Sequence, residues 1–558
     1  MEGRQRRLIL DTLFLGVVGA LSAQVFTVLL RIAQSFFLTW LCGYRPPGLP
    51  EEGGVLQQLI GPHGLWLIPL ATTLGGLLSG VLVYSMAPEA EGHGTDTAVK
   101  AFHRAGGFIR ARVAPLKMLA SAITIGSGGS AGREGPTALI SAGIGSLYAT
   151  LAHRSDEERR LLVLIGMAAG LSAIFRSPIG TALFAIEVLY GDMEFEAGAL
   201  LYTMLASVVA YVLNGLFVGW QPLFQVPGNL GPVGFVDYAW YAVLGVASGV
   251  VATVLPVVFY GVRDVFHALP GPSHIKPALG GLGVGAIALI CPHVLGGGYG
   301  WIQEAIDGHL TPTLLFLLIF AKTLTLALTV SSGGSGGVFA PSLFVGAMLG
   351  GFLAQLCHQS SPAFVIVGMA AVFGGAARVP IATLLMVTEM TGGYHLLVPA
   401  ALAVMICYLL QASLSASLPY PSLYEAQVPN RADSPVHHVE HLRIALGLLR
   451  NRQVTLPATI AHLDLLDLLT SGVPVDLPDG KQLTIGVLRT ESSCVGQPIQ
   501  SDCLGDADDE EIVAVLRQGR LLLPHPDTVL RAKDQLFVIS SPRTWSRLLA
   551  EHLAPLSS

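Results

Sequence analysis

"GMAAGLSAIFRSPIGTALFAIEV" runs from Gly166 to Val188, and "GMAAVFGGAARVPIATLLMVTEM" runs from Gly368 to Met390. The two stretches align without a gap. Gly166, Met167, Ala168, Ala169, Arg176, Pro178, Ile179, Thr181, Leu183 and Glu187 all meet identical residues. Helices rich in glycine and alanine match by chance, but an aligned arginine, proline and glutamate argue against that. Earlier residues repeat at nearly the same offset: Lys117 pairs with Lys322, Pro136 with Pro341 and Gly145 with Gly350. The chain therefore contains two related halves. The repeat leaves open whether they run parallel or inverted.

Composition says where the halves reside. The 558 residues are 52% hydrophobic and only 12% charged, with a mean hydropathy of +0.62. Soluble domains carry about 25% charged residues. Apolar runs dominate from about Leu8 to Leu418, and the chain turns polar after about Asn430. This predicts a polytopic membrane domain followed by a soluble tail. The net charge of −6 says little about partners, and no basic patch with interleaved aromatics points to nucleic acid. Arg4, Arg6 and Arg7 precede an apolar run, Leu8–Leu30, too long for a typical signal peptide and followed by many others. It reads as a first membrane helix with a cytoplasmic N-terminus. Cys42, Cys291, Cys357, Cys407, Cys494 and Cys503 form no CxxC pair and read as free thiols.

The spans are uneven. Leu13–Leu30, Leu65–Val83, Tyr202–Val218, Tyr238–Phe259 and Leu314–Val330 are long. Leu116–Ile125, Pro136–Tyr148 and Val338–Leu356 are short or interrupted by glycine and proline. Broken helices at membrane depth persist only where they line a cavity or pack inside protein. They point to a transporter's binding site.

Two of the interruptions are alike: "GSGGSAGREGP" (Gly126–Pro136) and "SSGGSGGVFAP" (Ser331–Pro341). A Gly/Ser-rich loop entering a helix bares backbone N–H groups, and the helix dipole adds partial positive charge. Two such loops, one per half, would aim two helix starts at one anion. A fixed lysine or arginine pair would hold that anion too tightly for conduction. Close helix packing is the plainer use of these glycines. Glu134 stands inside the first loop, where a membrane-buried carboxylate is costly and usually functional. Its repeat partner, Phe339, cannot ionise. A carboxylate there would block the site when charged and leave when protonated. The plainer alternative is a salt bridge to Arg133, although adjacent helical residues diverge.

These residues resemble the CLC family of chloride channels and proton/chloride antiporters over nearly all of Leu8 to about Val428. "GREGP" (Gly132–Pro136) and "GGVFAP" (Gly336–Pro341) match two anion-site motifs. "GHGTD" (Gly92–Asp96) stands where the family usually has Gly-Ser-Gly-Ile-Pro, and "PSLYEA" (Pro421–Ala426) supplies the pore tyrosine, Tyr424. The resemblance implies homodimers with one anion pathway per subunit, built from two inverted-topology repeats of tilted, broken helices. Glu134 would be the external gate. The amides around Arg133, Gly135, Val338 and Phe339 would bind the ion, with the Tyr424 hydroxyl on the inner side.

Two departures matter. The family's central serine falls at His93, which is bulkier and protonates near neutral pH. Either its ring lines the pore, or it turns away and Gly94 keeps the backbone site. The second departure is Val188, where proton-coupled members usually carry an internal glutamate. Valine there favours passive conduction, although Asp192, Glu194 and Glu196 lie close by. "GGGYG" (Gly296–Gly300) resembles a potassium filter but lacks its Thr-Val lead, and reads as an ordinary loop between helices. No nucleophile–base pair, metal cluster or P-loop suggests an enzyme, a metal or a cofactor.

In the tail, "HLRIALGLLR" and "HLDLLDLLTSG" predict short helices in a linker, residues 429–480. "KQLTIGVLRT", "EEIVAVLRQGRLLLP" and "DTVLRAKDQLFVIS", then "PRTWSRLLAEHL", predict strands closing on a helix, a small α+β domain over residues 481–558. It resembles the C-terminal half of RCK (TrkA-C-like) regulatory domains, which implies cytoplasmic dimerisation and a small nucleotide ligand. The expectation is an all-α membrane domain, residues 1–428, with that tail, in a cell inner membrane with both termini cytoplasmic. It would conduct chloride or a similar anion passively. The alternatives are proton/chloride antiport, and transport governed by a nucleotide sensor.

Overall fold

The computed structural model describes residues 2–50, 54–227, 234–431, 434, 436, 475–476, 481–499, 510–517, 520–522 and 528–555. They belong to two compact units, Met1–Gln427 and Val428–Ser558.

In the first unit, one series of helices is laid down twice. The first series is α1 (Glu2–Gln34), α2 (Ile68–Met86), α3 (Thr95–Arg104), α4 (Val113–Gly126), α5 (Glu134–Leu151), α6 (Asp156–Phe175), α7 (Pro178–Glu187) and α8 (Leu200–Val218). The second is α9 (Phe235–Ala268), α10 (Lys276–Ile290), α11 (Tyr299–Ile306), α12 (Pro312–Val330), α13 (Phe339–Leu356), α14 (Ser361–Ala376), α15 (Pro380–Thr391) and α16 (Leu397–Ser415). Packing repeats with the order. Helix α1 lies on α4, α6 and α8, and α9 lies on α12, α14 and α16. The halves meet through equivalents, α2 against α10 and α7 against α15, as a two-fold axis between them produces.

Local chemistry sets the breaks. Pro178 and Pro380 open α7 and α15 at the first helical turn, where a missing N–H costs nothing. Just before them, Arg176 and Arg378 both adopt a left-handed backbone with φ 54°. That conformation is uncommon outside glycine, so its recurrence shows the halves share backbone as well as sequence. Eight helices among the described residues are long and apolar enough to cross a membrane, and α4, α7, α14 and α15 are shorter apolar helices. Outer helices expose apolar side chains such as Leu10, Leu216, Val243 and Leu409, where a soluble protein carries charge. Helices α5, α13 and α14 are buried along nearly their whole length.

The aligned lysines do matching work. Both are fully buried. Lys117 donates to the carbonyls of Ala90 (3.0 Å) and Gly92 (2.6 Å), and Lys322 to those of Val294 (2.8 Å) and Gly296 (2.6 Å). Each pins the loop that opens a short helix, α3 or α11. The loop "GGGYG" is therefore the counterpart of "GHGTD", and Gly94 and Gly298 share a positive φ, 88° and 82°.

In the second unit, strands β3 (Val475–Asp476), β4 (Gln482–Leu488), β5 (Glu510–Arg517), β6 (Arg520–Leu522) and β7 (Gln535–Ser540) form an antiparallel sheet in the order β3-β4-β7-β5-β6. Helix α17 (Pro542–Glu551) follows, then β8 (Leu553–Pro555), which pairs with β4. (Strands β1, Tyr44–Arg45, and β2, Leu59–Ile60, pair antiparallel in the first unit.) Ser541 caps α17, its hydroxyl accepting the Thr544 N–H at 3.3 Å. Leu488, Val515, Leu536, Val538, Trp545 and Leu548 share a core. Among the described residues, β4, β5 with β6, and β7 fall in the three β-rich runs and α17 in the final helical segment, whereas β8 and β3, the latter inside the expected linker, are strands the sequence reading did not anticipate. The two short linker helices lie outside the described residues. Cys503 does too, and Cys42, Cys291, Cys357 and Cys407 form no disulfide among the described residues.

Candidate functional site

Each Gly/Ser loop opens a helix, α5 at Glu134 and α13 at Phe339, and the loops cross where the repeat superposes them. Gly132 and Gly337 exchange both backbone hydrogen bonds, each 2.7 Å, as an antiparallel bridge. Only bare backbone fits here: a Cβ on Gly337 would stand 2.8 Å from the Gly135 nitrogen. The loop before α3 joins them, with Gly92 bonded to Gly334 and Gly336 at 3.2 Å. A Cβ on Gly135 would strike the His93 carbonyl at 2.1 Å. Three helix N-termini thus converge, and their dipoles favour an anion.

A small central cavity lies there, lined by Thr95, Glu134, Gly135, Leu171, Phe175, Phe184, Val338, Phe339 and Tyr424. It unites Glu134, Gly135, Val338, Phe339 and Tyr424 from distant parts of the chain. Tyr424 is held in place by its neighbours: Leu423 donates its N–H to Ala376 (2.9 Å), Ala426 donates to Asp96 (2.8 Å), and Tyr260 donates its hydroxyl to Leu423 (2.9 Å).

The other anticipated residues flank this cavity. Arg133 lines a larger one of about 560 Å³ with Arg31, Arg45 and Tyr299. His93 and Gly94 line a third, about 140 Å³, with Glu91, Asp96, Arg263 and Glu425. The buried His93 ring stands edge-on to Tyr424 at 5.3 Å, and its Nδ1 has no hydrogen-bond partner among the described residues. The ring therefore faces Tyr424.

Glu134 is buried, and its carboxylate sits at the start of both central helices. Oε1 accepts the Tyr299 hydroxyl. Oε2 has no hydrogen-bond partner among the described residues, and it lies where a Cβ on Gly132 would stand, 2.1 Å away. The Arg133 Nε is 4.0 Å from Oε1, the outer limit of an ion pair, so the plain salt bridge is a weak one. Val188 is fully buried at the end of α7, an apolar side chain where a proton relay would need a titratable one. Of its acidic neighbours, Glu196 accepts the Tyr190 hydroxyl at 2.7 Å.

Tyr299 escaped the sequence reading, which took "GGGYG" for an ordinary loop. The signal was the triplet of glycines spaced from Lys322, to within one residue, as Gly92 and Gly94 are from Lys117.

Comparison with known proteins decides the family. The family described as "Voltage gated chloride channel" matches residues 75–412. The chain belongs to the voltage-gated chloride channel (CLC) family. It is accordingly a multi-pass membrane protein of anion transport. Among its relatives, the H(+)/Cl(-) exchange transporter ClcA of Citrobacter koseri is 32% identical over 391 residues, 67% of this chain and 80% of the relative. That of Cronobacter sakazakii is 30% identical over 375 residues, 65% and 79%. Two solved CLC folds are similar. A slow cyanobacterial Cl-/H+ antiporter gives a TM-score of 0.64 at 20% identity, covering 74% of this chain and 95% of that one. A CLC-type fluoride/proton antiporter gives 0.64 at 22%, covering 77% and 99%.

Proposed function

We propose that this protein exchanges chloride, or a similar small anion, for protons across a membrane. The observation that carries this is the position of the Glu134 carboxylate, lodged at the two helix starts where an anion would bind. One group then serves as proton carrier and as competitor of the anion, which ties the two movements together. Relatives that bear the name of H(+)/Cl(-) exchange transporters support the same reading. It displaces the passive conduction expected from the sequence. That second reading keeps one observation in its favour, the apolar Val188. The cavity beside His93 answers it: Glu91, Asp96 and Glu425 supply titratable groups within one ring of Tyr424.

In this reading, the amides of Arg133, Gly135, Val338 and Phe339 bind the anion, and Tyr424 supports it from the inner side. His93 and Gly94 form the inner constriction, and the Arg133 cavity is the outer mouth. The halves are inverted about the Gly132–Gly337 bridge. The protein is a homodimer in a cell inner membrane with cytoplasmic termini, and its RCK-C-like tail dimerises and senses a small nucleotide. A chloride gradient across proteoliposomes, read with a pH electrode, tests exchange. Protons driven uphill support it, and a flat external pH under voltage clamp returns the function to passive conduction.

A further inference from the structure

The counterpart loops before α3 and α11 place unlike side chains at equivalent positions. Thr95 opens α3 beside Tyr424, in the central cavity. Tyr299 opens α11 on the opposite side of Glu134, in the Arg133 cavity. Its loop is rigid: Lys322 holds the Val294 and Gly296 carbonyls, Gly298 turns with a positive φ, and a Cβ there would meet Phe344 at 2.5 Å. The ring is flanked by Phe224 at 5.9 Å and by the Arg133 guanidinium at 5.3 Å. A hydroxyl so placed is preorganised to donate, and it donates to Glu134 Oε1.

We propose that Tyr299 is a latch on Glu134: its hydroxyl retains the ionised carboxylate in the anion site and is released when the carboxylate protonates and swings out. The inference rests on Glu134 being the gate. The polar and charged groups about the carboxylate are Arg133 on its own loop, Tyr299 from α11, and Thr95 and Tyr424 in the central cavity. Helices α6, α7 and α13 present apolar side chains: Leu171, Phe175, Phe184 and Phe339. Tyr299 is the member of this set with a hydrogen bond to Oε1. Tyr299 donates to the carboxylate beside the backbone N–H groups of Glu134 and Ala340, and a side-chain hydrogen bond to an ionised group is the kind that holds. Tyr299 is thus a positioning residue. It acts on the anion only through Glu134.

The test is chloride flux from proteoliposomes as a function of external pH, for Tyr299→Phe in the native and the Glu134→Gln backgrounds. Phenylalanine keeps the ring and its packing and removes the donor. In the native background, flux at high pH should rise, and half-maximal flux should move up by about one pH unit, a tenfold change in proton activity. In the Glu134→Gln background the same change should do nothing. A native-background profile that does not move overturns the latch, as does an equal effect in both backgrounds, which would mark a role in packing. If Glu134→Gln alone keeps its full pH dependence, the gate reading fails, and the latch with it.

Discussion

The Glu187 carboxylate accepts the backbone N–H groups of Ile381 (3.1 Å) and Ala382 (2.6 Å), and Glu389 returns the arrangement to Ile179 (3.2 Å) and Gly180 (2.9 Å). Each half thus caps the first turn of a helix in the other, satisfying amides that an interrupted helix leaves open. Glu187→Ala should cost about 2–3 kcal/mol, because its hydrogen bonds are charged and fully buried. Glu389 is partly exposed and also holds the Ser177 hydroxyl at 2.5 Å, so Glu389→Ala should cost less. Thermal unfolding of the detergent-solubilised protein reads both. An unfolding temperature unchanged in Glu187→Ala would show that the caps contribute nothing.

Gly132 makes room for the Glu134 carboxylate. A Cβ there would stand 2.1 Å from Glu134 Oε2 and 3.0 Å from the Ala340 Cβ. The carboxylate can swing aside, whereas the helix backbone cannot. Gly132→Ala should therefore expel the carboxylate without altering its charge, raising anion flux at high pH and flattening its pH profile. A profile matching the native protein's would mean that Glu134 does not lodge there during transport.

The fold was legible where the repeat spelled it out. Aligned Arg176, Pro178 and Glu187 announced two halves, and the paired Ser-Gly-Gly-Ser loops announced two helix starts at one place. The antiparallel crossing of Gly132 and Gly337 was not legible, because a repeat has no direction in space. Tyr299 was hidden for another reason: the loops before α3 and α11 keep their glycines and their lysine anchors, but their functional side chains differ. Reach mattered too, since the Tyr299 hydroxyl meets a carboxylate 165 residues away in sequence. The reciprocal caps were half visible, for Glu187 and Glu389 aligned, but nothing in the sequence says that each serves the other's helix.

Glu134→Gln removes the charge and keeps the shape. Chloride flux should persist, its pH dependence should disappear, and proton movement driven by chloride should fall by about tenfold or more. These are flux and pH-electrode measurements on one proteoliposome preparation. Retained proton movement would place the carrier elsewhere, with Glu91, Asp96 and Glu425 the next to neutralise.

The tail has its own buried ion pair. Asp534 accepts Arg517 Nε (2.9 Å), Arg517 Nη2 (2.7 Å) and the Arg531 N–H (2.8 Å), tying β5 to the turn before β7. Asp534→Ala leaves the guanidinium only its bond to the Val529 carbonyl and should cost this unit about 2–3 kcal/mol. Faster limited proteolysis beyond residue 480 would report it. If the tail regulates transport, anion flux should change in the same variant. Native flux with a destabilised tail would leave the domain a structural role.

His93 offers the sharpest contrast with the family's usual serine. Its ring is only 7% exposed, stands between Tyr424 and Phe259, and lines the cavity that holds Glu91, Asp96, Arg263 and Glu425. A buried ring nitrogen without a partner is expensive unless an ion, a water or a proton satisfies it during transport. In His93→Ser the constriction widens and a small hydroxyl replaces an imidazole. Selectivity among chloride, nitrate and fluoride should shift by about threefold or more, since a pore discriminates by width and by the donors that line it. The reference is the native protein, assayed with the same internal buffers. If selectivity stays native, the ring lies outside the pathway, and the inner constriction falls to Gly94 and Tyr424.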